Sequence, residues 1–196
     1  MGKCTLLDEW ESKRRKKEAE LKEKKEKEKE KVEVEKEDTC VYDDYKEVED
    51  VSDDLFSDVA DEDYRTYLKF LVKTEGFYVT CAPENGIGMT IPIGPSNSFW
   101  PVVEDGAELA VDHYNKYRAG PDGQLKLSCI LNVNSRSGQD IFYYITLEAE
   151  NVKTGTTDDY QAKVVMRLNK SLEVLMFRKN PKIVAEMIER HKAGLL

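Results

Sequence analysis

The sequence predicts an α+β domain, one long helix packed on a four- to five-stranded antiparallel sheet, behind a disordered, charged N-terminal arm over residues 1–60. Three observations predict it. Apolar residues recur most strongly at the helical period between Val103 and Tyr117. After them, four stretches alternate apolar and polar residues and are parted by short turns. A helix followed by hairpin-linked strands makes a sheet with one face packed on the helix. The third observation is charge. Residues 11–37 hold 12 Lys or Arg against 10 Glu, and residues 38–63 hold 12 Asp or Glu against one Lys. Residues 64–196 hold 16 basic against 15 acidic residues, so the net charge of −9 belongs to the arm.

The arm comes first in the chain. Its Lys and Glu residues are good helix formers, and pairs three or four apart support one another. It has no apolar stripe to bury, so a solvated, fluctuating helix is the most it can form alone. Residues 38–63 are acidic with scattered Val, Tyr, Leu and Phe, a composition that orders only on a partner.

Order is expected from Asp61 onward, giving a domain over 61–196. Asp61 caps a helix in which Tyr64, Tyr67, Leu68 and Leu71 share a face, and Gly76 stops it. Phe77–Cys81 reads as a short strand. Residues 83–97 read as loop, broken by Gly86, Gly88, Pro92, Gly94 and Pro95. The long helix follows, with Pro101 in its first turn, where the missing N–H costs nothing. Glu104 and Asp105 suit its positive end, and Lys116 and Arg118 its negative end. Val103, Ala107, Ala110, Val111, Tyr114 and Tyr117 form its apolar stripe, and Gly120 ends it.

Leu125, Leu127, Cys129, Leu131 and Val133 then alternate as a first strand. Ser137-Gly138-Gln139 turns the chain. Ile141, Tyr143, Ile145, Leu147 and Ala149 make a second strand, and Asn151–Asp158 connects it to a third through Tyr160, Ala162, Val164, Met166 and Leu168. A turn at Asn169-Lys170 leads to a fourth strand, Leu172–Phe177. Asn180-Pro181 caps a last helix with Ile183, Val184, Met187 and Ile188 inward. About 130 ordered residues bury enough surface to fold alone with modest stability.

Composition narrows function. The ordered part carries no excess of cations, which nucleic-acid and anionic-membrane binding require, so neither is expected as a partner. Cys4, Cys40, Cys81 and Cys129 lie far apart without a CxxC pair, and only two histidines occur. That supports free thiols in a reducing compartment and neither a metal site nor a disulfide framework. No apolar run suits a signal peptide or a membrane span, so an intracellular protein, in cytoplasm or nucleus, is expected. Met1-Gly2-Lys3-Cys4 fails the myristoylation pattern, which needs Ser or Thr where Leu6 stands.

Other features weigh toward bland readings. Gly86-Ile87-Gly88 lacks the further glycine spacing and the helix of a phosphate loop. His113 has no cysteine or serine placed to partner it, and His191 suits a helix C-terminus. Glu148 and Glu150 share a strand side and read as the solvent face of the sheet, with acid–base work as the alternative. Lys13-Arg14-Arg15-Lys16-Lys17 reads as the start of a charged helix, with a nuclear import signal as the alternative. No catalytic, cofactor-binding or metal residue is assigned; the chain reads as non-enzymatic and monomeric.

Three separated pieces resemble the cystatin superfamily, and phytocystatins within it. Glu108-Leu109-Ala110-Val111-Asp112-His113-Tyr114-Asn115-Lys116 resembles the helix signature, Tyr143-Tyr144-Ile145-Thr146-Leu147-Glu148-Ala149 the central strand, and Tyr160-Gln161-Ala162-Lys163-Val164 the next strand. Together they cover about residues 100–178. Asp63–Val79, with Tyr64, Tyr67, Leu68 and Glu75-Gly76-Phe77, is similar to the lead-in of plant cystatin-related proteins. The resemblance implies a helix wrapped by an antiparallel sheet. A working cystatin wedges an N-terminal glycine, a Gln-x-Val-x-Gly loop and a Pro-Trp loop into a papain-like cleft. The corresponding loops here are Arg136-Ser137-Gly138-Gln139-Asp140 and Leu168-Asn169-Lys170, which lack those anchors, and Phe99-Trp100-Pro101 matches the wedge in composition only. Losing apolar anchors costs about 2 kcal/mol or more each. The resemblance therefore implies a protein-interaction or regulatory module without tight protease inhibition, for a protein partner of unknown identity. Two alternatives are a cysteine-protease inhibitor with altered loops, whose partner is a papain-like protease, and a nuclear adaptor acting through the charged arm.

Overall fold

The computed structural model describes residues 41–42, 56, 58–79 and 88–194. The readings of Cys4, the basic cluster Lys13–Lys17, the alternating Lys/Glu run, Cys40, Cys81 and Gly86-Ile87 lie outside the described residues, as does the side chain of His191.

Within the unit spanning 40–196, the elements are β1 (Val41–Tyr42), α1 (Glu62–Lys73), β2 (Thr90–Pro92), α2 (Trp100–Tyr117), β3 (Leu125–Ser137), β4 (Ile141–Asn151), β5 (Thr157–Met166), β6 (Leu172–Lys179) and α3 (Lys182–Lys192). The sheet order is β1-β6-β5-β4-β3-β2. Strands β2 to β6 are antiparallel neighbours in an α+β layout. Strands β3 to β6 fall where the alternation predicts strands, whereas β2 lies within residues 83–97, read from their Gly and Pro content as loop. At the far edge β1 pairs in parallel with β6, Val41 opposite Met176 and Tyr42 opposite Phe177.

Helix α2 forms where the period of 3.6 is clearest, with Pro in its first turn. Its 18 residues make a rod about 27 Å long. Val103, Ala107, Ala110 and Val111 are buried against Tyr143, Ile145, Leu147, Ala162, Val164 and Phe177 of the sheet. At the buried Gly106 a Cβ would lie 3.4 Å from Val164 Cγ1, so the helix backbone here runs within one side-chain contact of the sheet. Tyr114 packs on Phe177 with ring centroids 5.1 Å apart. Tyr117, expected in the stripe, is 46% exposed; it falls in the last turn of α2, where its ring lies tilted against that of His113.

The β3 alternation departs from expectation. Cys129 and Leu131 are exposed, whereas Ile130 packs against the core. Register shifts lie between Leu127 and Cys129 and between Ile130 and Asn132. Each bulge adds one residue and reverses which parity faces the core. Leu127, Ile130 and Val133 therefore stand opposite the core-facing Ala149, Leu147 and Ile145.

Asp61 caps α1, its Oδ1 accepting from the Tyr64 N–H at 2.9 Å. The buried face of α1 holds Tyr67 and Phe70, with Leu68 and Leu71 only half-buried. The Tyr67 hydroxyl selects this face. It donates to the Thr90 carbonyl and accepts from the Thr90 N–H, both at 3.0 Å, and so ties α1 to β2.

After α1 the chain turns through Glu75 (φ 52) and Gly76 (φ 88). Residues 77–79 do not form the expected strand. They lie instead on the sheet face away from α2. The carbonyls of Gly76 and Phe77 accept from the side-chain amides of Asn134 (3.0 Å) and Asn132 (2.8 Å), not from a neighbouring strand. Phe77 is fully buried edge-on against Tyr144. Arg178, 2% exposed, donates to Gln161 Oε1 at 2.9 and 2.8 Å and to Glu75 Oε2 at 2.6 Å, and lies over the Phe77 ring. Both sheet faces are thus partly covered. Glu148 and Glu150, read as the solvent face, are half-buried on this second side. In α3 Val184 is buried, while the Asn180 side chain accepts from Gln161 Nε2 (3.0 Å).

Candidate functional site

Because β3, β4, β5 and β6 run as an antiparallel meander, the β3–β4 and β5–β6 connections emerge at the same end of the sheet. The two loops singled out from the sequence are therefore neighbours. The first is short. Ser137 pairs with Ile141, and the Gly138 N–H donates to the Asp140 carbonyl at 3.0 Å. Arg136, Ser137, Gly138 and Gln139 are exposed and Asp140 is half-buried.

The second loop is a tight turn. The Arg167 N–H donates to the Ser171 carbonyl (2.9 Å) and the Lys170 N–H to the Arg167 carbonyl (2.8 Å). Lys170 takes φ 65, and the Asn169 side-chain oxygen accepts from the Ser171 N–H (3.0 Å) and hydroxyl (2.7 Å). Leu168, Asn169 and Lys170 are all exposed, Leu168 to 75%. Leu168, read as the end of a strand, is a loop tip because β5 ends at Met166.

Arg167 joins the loops, and sequence reading did not single it out. Its Nη1 donates to Asp140 Oδ2 at 2.9 Å, while Nε and Nη2 donate to Glu173 Oε2 at 3.0 and 2.7 Å. The bonds to Glu173 and then Asp140 push the guanidinium pKa further up. Asp140 lies 27 positions away in the chain, so no local pattern signals the contact.

A third segment reaches this end. Thr90 pairs with Arg136, and Arg136 Nε donates to the Gly88 carbonyl at 3.3 Å. Gly88 (φ 78) sits where an added Cβ would be 3.9 Å from the Ser137 carbonyl oxygen. Trp100 is elsewhere. It starts α2, donates from Nε1 to Glu104 Oε1 at 3.0 Å, and borders Leu127–Ile130. That is on the order of 20 Å along β3 from the first loop.

The described residues contain no group of three or more His, Cys, Asp or Glu gathered to hold a metal. His113 packs on Tyr117 at 4.6 Å. Cys129 is a free, exposed thiol. No helix among the described residues is long and apolar enough to cross a membrane. Neither a protein-family model nor a curated protein matches this sequence.

Proposed function

We propose that this protein is a non-enzymatic interaction module on a cystatin-like scaffold, whose paired hairpin loops do not seal a papain-type cleft tightly. The reading rests on the chain resemblance over about 100–178 together with the element order β2-α2-β3-β4-β5-β6 in a sheet ordered β2 to β6. One observation carries the functional half. The loop end presents Arg136, Gln139, Asn169 and Lys170, all exposed, and one apolar tip, Leu168. A wedge that excludes water from a cleft must bury its tips, and burying charge without a partner opposes binding. The gap between micromolar and nanomolar affinity is about 4 kcal/mol. Two missing apolar anchors at about 2 kcal/mol each account for it.

The reading of an inhibitor with altered loops draws support from the shared end of the two loops, the approach of Gly88 and the exposed Leu168. Titrating the protein against papain and cathepsin-type enzymes separates the two. Inhibition weaker than about micromolar is expected; a nanomolar inhibition constant overturns the proposal. A pull-down with residues 61–196 beside the full chain then assigns recognition to the domain or the arm. Capture that needs residues 1–60 favours the adaptor reading.

A further inference from the structure

Among the described residues, no strand covers part of the outer edge of β3. At one end β2 covers only Asn134 to Arg136, and the Ile93 N–H reaches the Val133 carbonyl at 3.0 Å. At the other end the Asn115 side chain stands in for a strand. Its Nδ2 donates to the Leu125 carbonyl at 2.7 Å, and its Oδ1 accepts from the Leu125 N–H at 2.8 Å. Between these stops no described strand pairs with Leu127–Asn132 on the side away from β4. Five steps of extended chain make a gap of about 17 Å.

The gap opens into a groove of about 500 Å³. Its β3 wall is Leu127 to Ile130, and its α2 wall is Trp100, Glu104, Asp105 and Glu108. The floor is apolar where Leu127 and Ile130 meet the core. The far wall is acidic, with all three carboxylates on exposed residues. Lys126, the one base in this half of β3, pairs opposite Glu150 on the other face and does not offset them.

We propose that this edge receives an extended peptide with Lys or Arg at alternate positions, which adds as a short strand beside β3. Main-chain groups of the peptide pair with the β3 edge and supply affinity. Every second side chain of a strand points the same way, so one set of cations faces Glu104, Asp105 and Glu108, and Trp100 offers a ring face to the first. The two bulges bend the edge and keep the paired stretch short, which guards it from indiscriminate pairing. Selection then falls to the carboxylates. This surface is separate from the hairpin loops, so failure here leaves the loop reading standing, and the reverse.

The test uses the full chain and a fluorescein-labelled peptide of alternating Lys and Thr, read by fluorescence anisotropy. The Glu104→Lys, Glu108→Lys double variant should weaken binding at least about tenfold, while Glu150→Lys on the other face leaves it unchanged. The milder Glu104→Gln, Glu108→Gln pair should weaken it in the same direction and guards against misfolding of the charge-reversed protein. N-methylation of alternate peptide amides should abolish binding in one register and spare it in the other. Unchanged affinity in both groove variants would place the peptide on the acidic block of the arm and overturn the proposal. Indifference to N-methylation, or a dimer of this chain that the groove variants dissolve, overturns it as well.

Discussion

Replacing Gly76 with alanine tests whether the segment after α1 is locked onto the sheet. Two costs add. At φ 88 an L side chain sits in the left-handed region, which costs about 1–2 kcal/mol. The new Cβ would also lie 3.1 Å from Tyr144 Cε1 and 3.3 Å from Cδ1. The ring yields little, because Phe77 meets it edge-on at 5.6 Å and the Lys163 ammonium lies 5.1 Å above it. Overpacking of this kind costs about 1 kcal/mol or more. The total expected is about 2–3 kcal/mol. In urea that is a midpoint lower by roughly 1–2 M.

Two other glycines divide the sum. Gly155 shares the left-handed backbone at φ 68, but its Cβ would meet only the flexible Glu150 carboxylate at 3.8 Å. Gly155→Ala should therefore show the backbone cost alone, about 1–2 kcal/mol. Gly94→Ala meets nothing within 4 Å and has no positive φ, so it should be neutral or stabilise by up to about 1 kcal/mol. Urea unfolding of the three variants, followed by circular dichroism, gives the comparison. A Gly76→Ala loss no larger than that of Gly155→Ala would refute the contact with Tyr144. A loss of nearly zero would refute the left-handed turn too.

Three further outcomes are expected. Asn115→Ala removes both bonds to Leu125 and should cost about 1–3 kcal/mol; hydrogen exchange of the Leu125 amide should quicken, whereas Asn115→Asp keeps the acceptor and protects it partly. Tyr67→Phe takes the hydroxyl from between the Thr90 N–H and carbonyl, and should cost about 1–3 kcal/mol in urea unfolding, with amide exchange of Thr90 rising. Burial pushes the phenol pKa of Tyr67 and of Tyr143 above the ordinary 10.0. The folded state then holds protons that the unfolded chain releases, so stability is full below about pH 10 and falls as pH rises through it; a urea midpoint that stays level up to about pH 11 would contradict this, and Tyr143→Phe should flatten the slope.

By itself the sequence determined the parts of the fold that local periodicity encodes. The long α2 rod, the Asp61 cap, the positions of four strands and the shared hairpins at Gly138 and Asn169 follow from neighbours a few residues apart. Loop composition alone also told that the hairpin tips are charged or polar apart from Leu168. What only the tertiary structure decided depends on contacts between distant positions. Asn134 meets Gly76 across 58 positions, and Arg178 meets Glu75 across 103; no spacing rule carries such pairs. They lay Phe77 on the second sheet face where the sequence suggested a strand. The two β3 bulges are decided by the register with β4, and they turned Cys129 and Leu131 outward against a clean alternation in the sequence. Arg167, which sequence reading did not single out, meets Asp140 only because the meander brings the two loops to one end. The β3 edge left unpaired among the described residues is likewise bounded by β2, which stops after three residues, and by Asn115, which bonds Leu125. Periodicity is a property of one strand, but an edge is a property of what fails to pair with it.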